Sequence, residues 1–258
     1  MGIAGLNRGL TTLGHQVAVR PLGRRTGFHT LDRWLYNAGI RLAPPRDVDL
    51  VVGVDLAGRE KGYPADDHRQ AYQVAHEAFL GKTVHAGEDY GPESIFQAIG
   101  DLHADRIGHG TWLLDEDKIR DPRIQDRKAY VERLAQFVAD KRITIEVCLT
   151  SNQQTVPELA ADLRQHPFAE MRRRRLSTTF CTDNRLVSDT TVSHEIARAV
   201  EAFGLTPQEV RDILIYGFKR SFFPGTYLEK RQYVRQVINF ANQLLAEAGH
   251  GPFGPSPT

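Results

Sequence analysis

The sequence predicts an α/β fold, a (β/α)₈ barrel, and three observations lead there. The chain has 258 residues, 41% hydrophobic and 25% charged, enough for one large core of the size that such barrels have. From Val51 onward, short β-rich runs alternate with amphipathic helical patterns, the signature of repeated βα units on a parallel sheet. His85, Glu88, His109 and Asp183 stand at or just past the points where short apolar runs stop, the positions that a barrel brings to one rim. A single domain over residues 1–258 is expected, with 1–50 its weakly patterned part and 249–258 a Gly/Pro-rich, disordered tail.

The elements follow in order. Val51 to Leu56 reads as the first clear strand. Asp66 to Leu80 carries Tyr72, Ala75, Ala78 and Phe79 at helical spacing and stops at Gly81, and Lys82 to His85 forms the next strand. Gly91-Pro92-Glu93 opens a helix with proline in its first turn and Ile95, Ala98, Ile99 and Leu102 on its apolar face. Arg106 to His109 is a short strand, followed by a long insertion and a helix facing inward through Val131, Leu134 and Val138. Ile143 to Leu149 is the strongest β signal in the chain. After a helix begun near Pro157, Leu176 to Cys181 is the last strand. Thr206-Pro207-Gln208-Glu209 is a capping box for a helix with Val210, Ile213 and Leu214 inside. A final helix from about Tyr227 to Ala246 turns Val234, Val237, Ile238 and Ala241 inward.

Five strands from Val51 onward leave a closed eight-stranded barrel three short. The first 50 residues cannot supply three more βα units at roughly 30 residues each. His15 to Val19 supplies at most one strand, and Leu31 to Leu42 one helix. The expectation is therefore an incomplete barrel lacking one or two N-terminal strands, as in a truncated or misstarted gene product.

A formal net charge of +1 argues against a nucleic-acid or membrane electrostatic role, because both need a sustained basic field. The dense basic run Arg172 to Arg175 reads as the solvated end of a surface helix. There is no signal-like apolar segment at the start and no stretch long enough to span a bilayer. Cys148 and Cys181 lie within apolar runs, which suits free buried thiols in a reducing cytoplasm.

Imidazole and carboxylate are the ligands of catalytic zinc, which lowers the pKa of a bound water to about 7. His85, His109 and Asp183 together suit that purpose at their strand ends. Glu88, beyond the turn-permitting Gly87, reaches a substrate without binding the metal and is suited to donate a proton. The motifs Val52-Gly53-Val54-Asp55-Leu56-Ala57-Gly58-Arg59-Glu60, His85-Ala86-Gly87-Glu88, Arg106-Ile107-Gly108-His109-Gly110, Ile145-Glu146-Val147-Cys148 with Ser151-Asn152, and Thr182-Asp183-Asn184 occur in this order. Together, over about Val51 to Phe223, they resemble adenosine deaminase, a family of metal-dependent hydrolases.

The resemblance implies a (β/α)₈ TIM barrel of the metal-dependent hydrolase type, with one Zn²⁺ per complete chain and a purine nucleoside as substrate. The implied reaction is hydrolytic deamination of adenosine to inosine and ammonia, by zinc-hydroxide attack at C6 with Glu88 protonating N1. It makes His85 and Asp183 zinc ligands, and His109 the group that orients or deprotonates the attacking water. Gly58 is placed against the purine N3 side and Asn184 opposite N7. At 184 many relatives carry Asp, and an Asn amide can donate to N7 without a protonated carboxyl.

The family's first-strand His-x-His, which supplies two further zinc ligands, has no counterpart among the ten histidines. His68 and His76 lie eight apart on one helical stretch, too far to act as a local pair. Two alternatives follow: a deaminase of adenine or another adenosine derivative, or an inactive purine-binding remnant. A cytidine-deaminase centre needs a P-C-x-x-C that two distant cysteines cannot supply. Asp55 and Glu60 as a glycosidase pair lack an accompanying aromatic cluster.

Overall fold

The structure is a computed structural model that describes the backbone of residues 17–19 and all of residues 52–251. The expected helix over Leu31 to Leu42, His15, His29 and the tail past residue 251 lie outside the described residues. The chain divides into two units, Met1–Ile143 with Phe222–Pro224, and Thr144–Ser221 with Gly225–Thr258.

In the first unit, β1 (Val17–Val19) pairs antiparallel with β2 (Gly53–Gly58), Val17 opposite Gly58. α1 (Arg69–Glu77) follows a short 3₁₀ turn and leads to β3 (Gly81–Ala86). α2 (Pro92–Gly100), β4 (Arg106–His109) and α3 (Arg127–Lys141) complete the unit. β2, β3 and β4 are parallel neighbours, with Gly53 opposite Gly81 and Thr83 opposite Arg106. The parallel pairing follows from the intervening helices, because a crossover is what returns the chain in the same direction.

The core of this unit follows most of its sequence pattern, although Phe79 is 97% exposed and Ile99 only half-buried. Val84, Ile95, Ala98, Leu102, Ile107, Leu134 and Val138 are buried. Tyr72 reaches across from α1 to donate its hydroxyl to the Thr83 carbonyl at 2.7 Å. Burial pushes its phenol well above the ordinary range, so it stays a donor. The helix expected to run to Leu80 ends at Glu77, and the chain turns at Phe79, whose φ of 56° is left-handed. Gly81, read as the helix stop, begins β3, where a Cβ would sit 2.4 Å from the Phe222 ring. Packing, rather than turn geometry, demands that glycine.

In the second unit, β5 (Thr144–Val147) runs parallel to β6 (Thr178–Phe180), with Ile145 opposite Thr178. Between them lie α4 (Leu149–Thr155) and α5 (Phe168–Arg173). α6 (Arg185–Ser188), α7 (Val192–Phe203), α8 (Pro207–Arg220) and α9 (Tyr227–Glu247) follow. The strand expected over Ile143 to Leu149 is shorter, because Leu149 already begins α4. An apolar run carries no period that separates a buried strand from a buried helix turn.

The capping box at Thr206 and Glu209 is present. The inner face of α8, however, is Arg211, Ile213 and Ile215 rather than Val210, Ile213 and Leu214. Arg211 is accommodated there because its guanidinium meets Asn242 and Asp212 at 2.6 and 2.7 Å. On α9 only Val234 of the four expected inward residues is fully buried. The Arg172–Arg175 run does end a helix, where Glu170 pairs with Arg173 and Arg174. Among the described residues no helix is long and apolar enough to cross a membrane.

Glu195 of α7 is completely buried and ties α7 to the start of α4. It accepts hydrogen bonds from the Thr150 hydroxyl, the Thr190 hydroxyl at 2.7 Å and the Thr150 amide at 3.1 Å. Glu195→Ala strands these donors, at about 1–3 kcal/mol for each buried group left unsatisfied. The expected result is a clear drop in the urea midpoint of unfolding, and an unchanged midpoint would show the network to be dispensable.

Candidate active site

Three of the residues singled out from the sequence come together in the first unit. His85 is the fifth residue of β3 and Gly108 of β4 lies opposite it. A Cβ at 108 would fall 2.7 Å from the His85 ring, so glycine there lets the imidazole lie across the neighbouring strand. His109 ends β4 with φ 65°, a left-handed conformation costly for a residue with a Cβ, and its side chain is 1% exposed. Such strain, of order 1–3 kcal/mol, is retained where the surrounding structure holds it in place.

His109 Nε2 is the centre of the cluster. It lies 3.1 Å from His85 Nδ1 and 3.6 Å from Glu88 Oε2. The other nitrogen of His85, Nε2, faces Asp55 Oδ2 at 3.8 Å. Both neighbours face the same ring nitrogen, so His109 Nε2 can donate toward one of them when it carries a hydrogen and accept from His85 when it does not. Asp55 gives His85 a carboxylate partner of the kind that fixes ring orientation. Its position, two strand residues after Gly53, was readable in the sequence, but its pairing with His85 was not.

Glu88 sits on a turn that depends on Gly87, whose φ is +73° and where a Cβ would fall 2.6 Å from Ile95. Trp112 holds this turn from one side. Its indole nitrogen donates to the Glu88 carbonyl at 2.8 Å, and its amide donates to the Gly87 carbonyl at 2.9 Å. Glu60 holds it from the other. Both of its carboxylate oxygens are engaged by the amides of residues 87–90.

Beside His85 and Gly58 lies a cavity of about 610 Å³, with Tyr63, Tyr90, Phe96 and Tyr130 among its walls. That volume is typical of small-molecule sites, roughly 300–1,000 Å³. Glu88 and His109 are not among those walls. Burial, with the charges of Glu93 and Asp121, pushes the Tyr130 phenol up to about 12, which keeps it a neutral donor. Gly58, at φ 133°, ends β2 and presents bare backbone to this space.

In the second unit, Asp183 lies three residues past β6, also left-handed at φ 53°. Its Oδ2 accepts a hydrogen bond from Ser151 Oγ at 2.7 Å. Ser151 is 4% exposed at the start of α4. Asn152 beside it is fully buried and its Oδ1 lies 3.2 Å from His166 Nε2. The Phe168 amide donates to His166 Nδ1, so Nε2 carries the hydrogen. Asn184 caps α6, its Oδ1 accepting from the Val187 amide at 3.4 Å, which leaves its NH₂ as the group able to donate. Cys148 is buried, and desolvation, helped by neighbouring negative groups, holds its thiol protonated.

Comparison with known proteins gives a consistent picture. Residues 33–239 match the family model described as adenosine deaminase. An adenosine deaminase of Mycobacterium sp. (strain JLS) is 37% identical over 245 residues, covering 95% of this chain and 64% of the relative. One from Mycolicibacterium vanbaalenii is 41% identical over 188 residues, covering 73% of this chain and 50% of the relative. The chain thus spans about two thirds or less of the length of these curated relatives.

Among solved structures, an adenine deaminase from Arthrobacter aurescens superposes with a TM-score of 0.64 at 21% identity, over 84% of this chain and 56% of its own. The N6-methyl-AMP deaminase of Arabidopsis thaliana superposes at 0.60 and 28%, over 78% and 52%. An amidohydrolase from Burkholderia ambifaria, with bound Zn, does so at 0.62 and 21%, over 83% and 54%. The fold is that of these solved structures, of which this chain covers a little more than half.

Proposed function

The chain belongs to the adenosine deaminase family, and from that membership and the His85–His109–Glu88 cluster we propose a zinc-dependent aminohydrolase acting on adenosine. The imidazole at 85 and the carboxylate at 183 are nitrogen and oxygen donors of the kinds zinc takes, but they are only part of a catalytic shell of three protein ligands, and the His-x-His from which the family draws the others has no counterpart among the ten histidines. His85 and Asp183 hold zinc in this reading, on the strength of their family motifs. Bound zinc supplies Lewis acidity, lowering the pKa of a coordinated water from 15.7 to about 7.

The chain's own residues do the rest. Gly58 places backbone against the N3 edge of the purine and Asn184 donates to N7, fixing the ring so that C6 is presented to the water. His109 orients the water and takes its proton. Glu88 donates a proton to N1 as the water oxygen bonds to C6, which lets the ring accept the incoming electron pair. The C–N bond breaks as the amino group leaves as ammonia with the proton His109 took from water, and the hydrogen remaining on the C6 oxygen returns to Glu88, giving the C6 carbonyl of inosine. Atoms balance as adenosine plus water giving inosine plus ammonia. The carrying observation is that one nitrogen, His109 Nε2, lies within 3.6 Å of both His85 and Glu88.

Substrate identity is tested by ammonia release from adenosine, adenine and AMP with the full-length, zinc-supplied protein. Adenosine is expected to give the highest kcat/KM. A preference for adenine or for the phosphorylated nucleoside would move the assignment to those deaminases, and zinc binding with no ammonia from any of the three would overturn the reading.

A further inference from the structure

The amides of four consecutive residues, Gly87, Glu88, Asp89 and Tyr90, converge on one carboxylate. Glu60 Oε1 accepts from Gly87 N at 2.9 Å, and Oε2 accepts from Glu88 N at 2.9 Å, Asp89 N at 2.7 Å and Tyr90 N at 3.2 Å. A run of successive amides pointing inward is an anion-binding nest. Here the anion is a side chain from elsewhere in the chain, 27 to 30 residues earlier. Charge-assisted bonds of this kind are roughly twice as strong as neutral ones.

Further contacts tie the same two loops together. The Gly62 amide donates to the Tyr90 hydroxyl at 2.8 Å and the Lys61 amide to Asp89 Oδ2 at 3.4 Å. Glu60 is two residues past Gly58, and the loop it grips carries Glu88. Its backbone amide and carbonyl are thereby both fixed, the amide by Glu60 and the carbonyl by Trp112. The loop after β3 is thereby held on one side from the end of β2 by Glu60 and on the other from just past β4 by Trp112.

We propose that Glu60 is a positioning residue for catalysis: it sets where the Glu88 carboxyl stands relative to the purine backbone contact at Gly58. This rests on the assignment of Glu88 as proton donor made above. Glu60 borders the cavity, but both its carboxylate oxygens are taken up by the amides of residues 87–90, so its proposed effect passes through Glu88. Since a misplacement of about 1 Å can cost ~100-fold in rate, loss of the clamp should appear in kcat more than in KM.

The test is a double-mutant cycle on the full-length zinc enzyme, with kcat, KM, zinc content and thermal midpoint measured for each variant. Glu60→Ala is expected to lower kcat by about 10–100-fold, with KM changed less than threefold and zinc retained. In a Glu88→Gln background it should lower kcat no further, because the donor it positions is already gone. Glu60→Gln keeps one acceptor oxygen for residues 88–90, while Ser94 Oγ, 3.0 Å from Gly87 N, remains to take that amide. It should therefore recover most of the lost rate, and it carries the test if the alanine variant does not fold.

Equal losses from Glu60→Ala with and without Glu88 would overturn the positioning role and leave Glu60 as a structural clamp. So would full activity in a folded Glu60→Ala variant, or a Glu60→Gln variant that folds and recovers no rate. A Glu88→Gln variant as active as the parent would instead overturn the proton-donor assignment itself, so the two failures are distinct.

Discussion

Glu88→Gln is expected to lower turnover by ~10²–10⁴ while leaving zinc content and thermal midpoint at the parent values. The substitution preserves shape and removes only the acidic proton. The contacts that hold residue 88 are made by its backbone, through Glu60 and Trp112, so the turn survives the change. What is lost is the proton delivered to N1, and with it about 3–5 kcal/mol of transition-state stabilisation. Substrate binding does not require that proton in the ground state, so KM should move little and the loss should fall on kcat. Steady-state ammonia release with metal analysis on the same preparation checks this. Undiminished turnover would remove Glu88 from the mechanism.

Asp183→Ala is expected to abolish activity and strip the metal, since it deletes a proposed ligand and not a neighbour of one. Loss of groups that merely orient ligands already costs ~10–100-fold in affinity, so loss of the ligand should exceed that. The alanine variant carries a folding cost as well. Ser151 Oγ loses the acceptor it meets at 2.7 Å, and the φ of 53° at 183 suits Asp or Asn better than Ala. Asp183→Asn separates the two effects, because the amide oxygen still receives Ser151 and Asn tolerates the left-handed backbone. It should keep the parent unfolding midpoint and still bind zinc weakly. Full zinc occupancy in folded Asp183→Asn would contradict the ligand assignment.

The residues proposed to carry the chemistry stand out in the sequence because they combine an informative residue type with a strand end. β4 occupies Arg106–His109 as its sequence pattern indicates. β3 extends the expected strand by one residue at each end. The strand ends place His85 and His109 together without any knowledge of the intervening helices. The residues around them were not legible in the same way. Glu60 acts through hydrogen bonds from backbone amides, which every residue carries and no side-chain pattern marks. Ser151 lies in the motif read from the sequence, but its bond to Asp183 crosses 32 positions.

The errors in the elements have local causes. Helix α1 stops early because Phe79 adopts a left-handed turn that its side chain does not advertise. β5 yields to α4 because Cys148 and Leu149 belong to an apolar run that suits both. The inner face of α8 includes Arg211, which no apolar pattern marks, because Asn242 and Asp212 satisfy its guanidinium within the packed face.

The central claim is that residues of this chain direct a water oxygen onto C6 of a 6-aminopurine nucleoside. It is tested most directly by incubating the full-length, zinc-loaded protein with adenosine in water isotopically labelled at oxygen, then weighing the purine product by mass spectrometry. The account predicts one solvent oxygen incorporated into the purine for each ammonia released. Zinc-loaded protein that releases no ammonia, or ammonia without label in the purine, would contradict it.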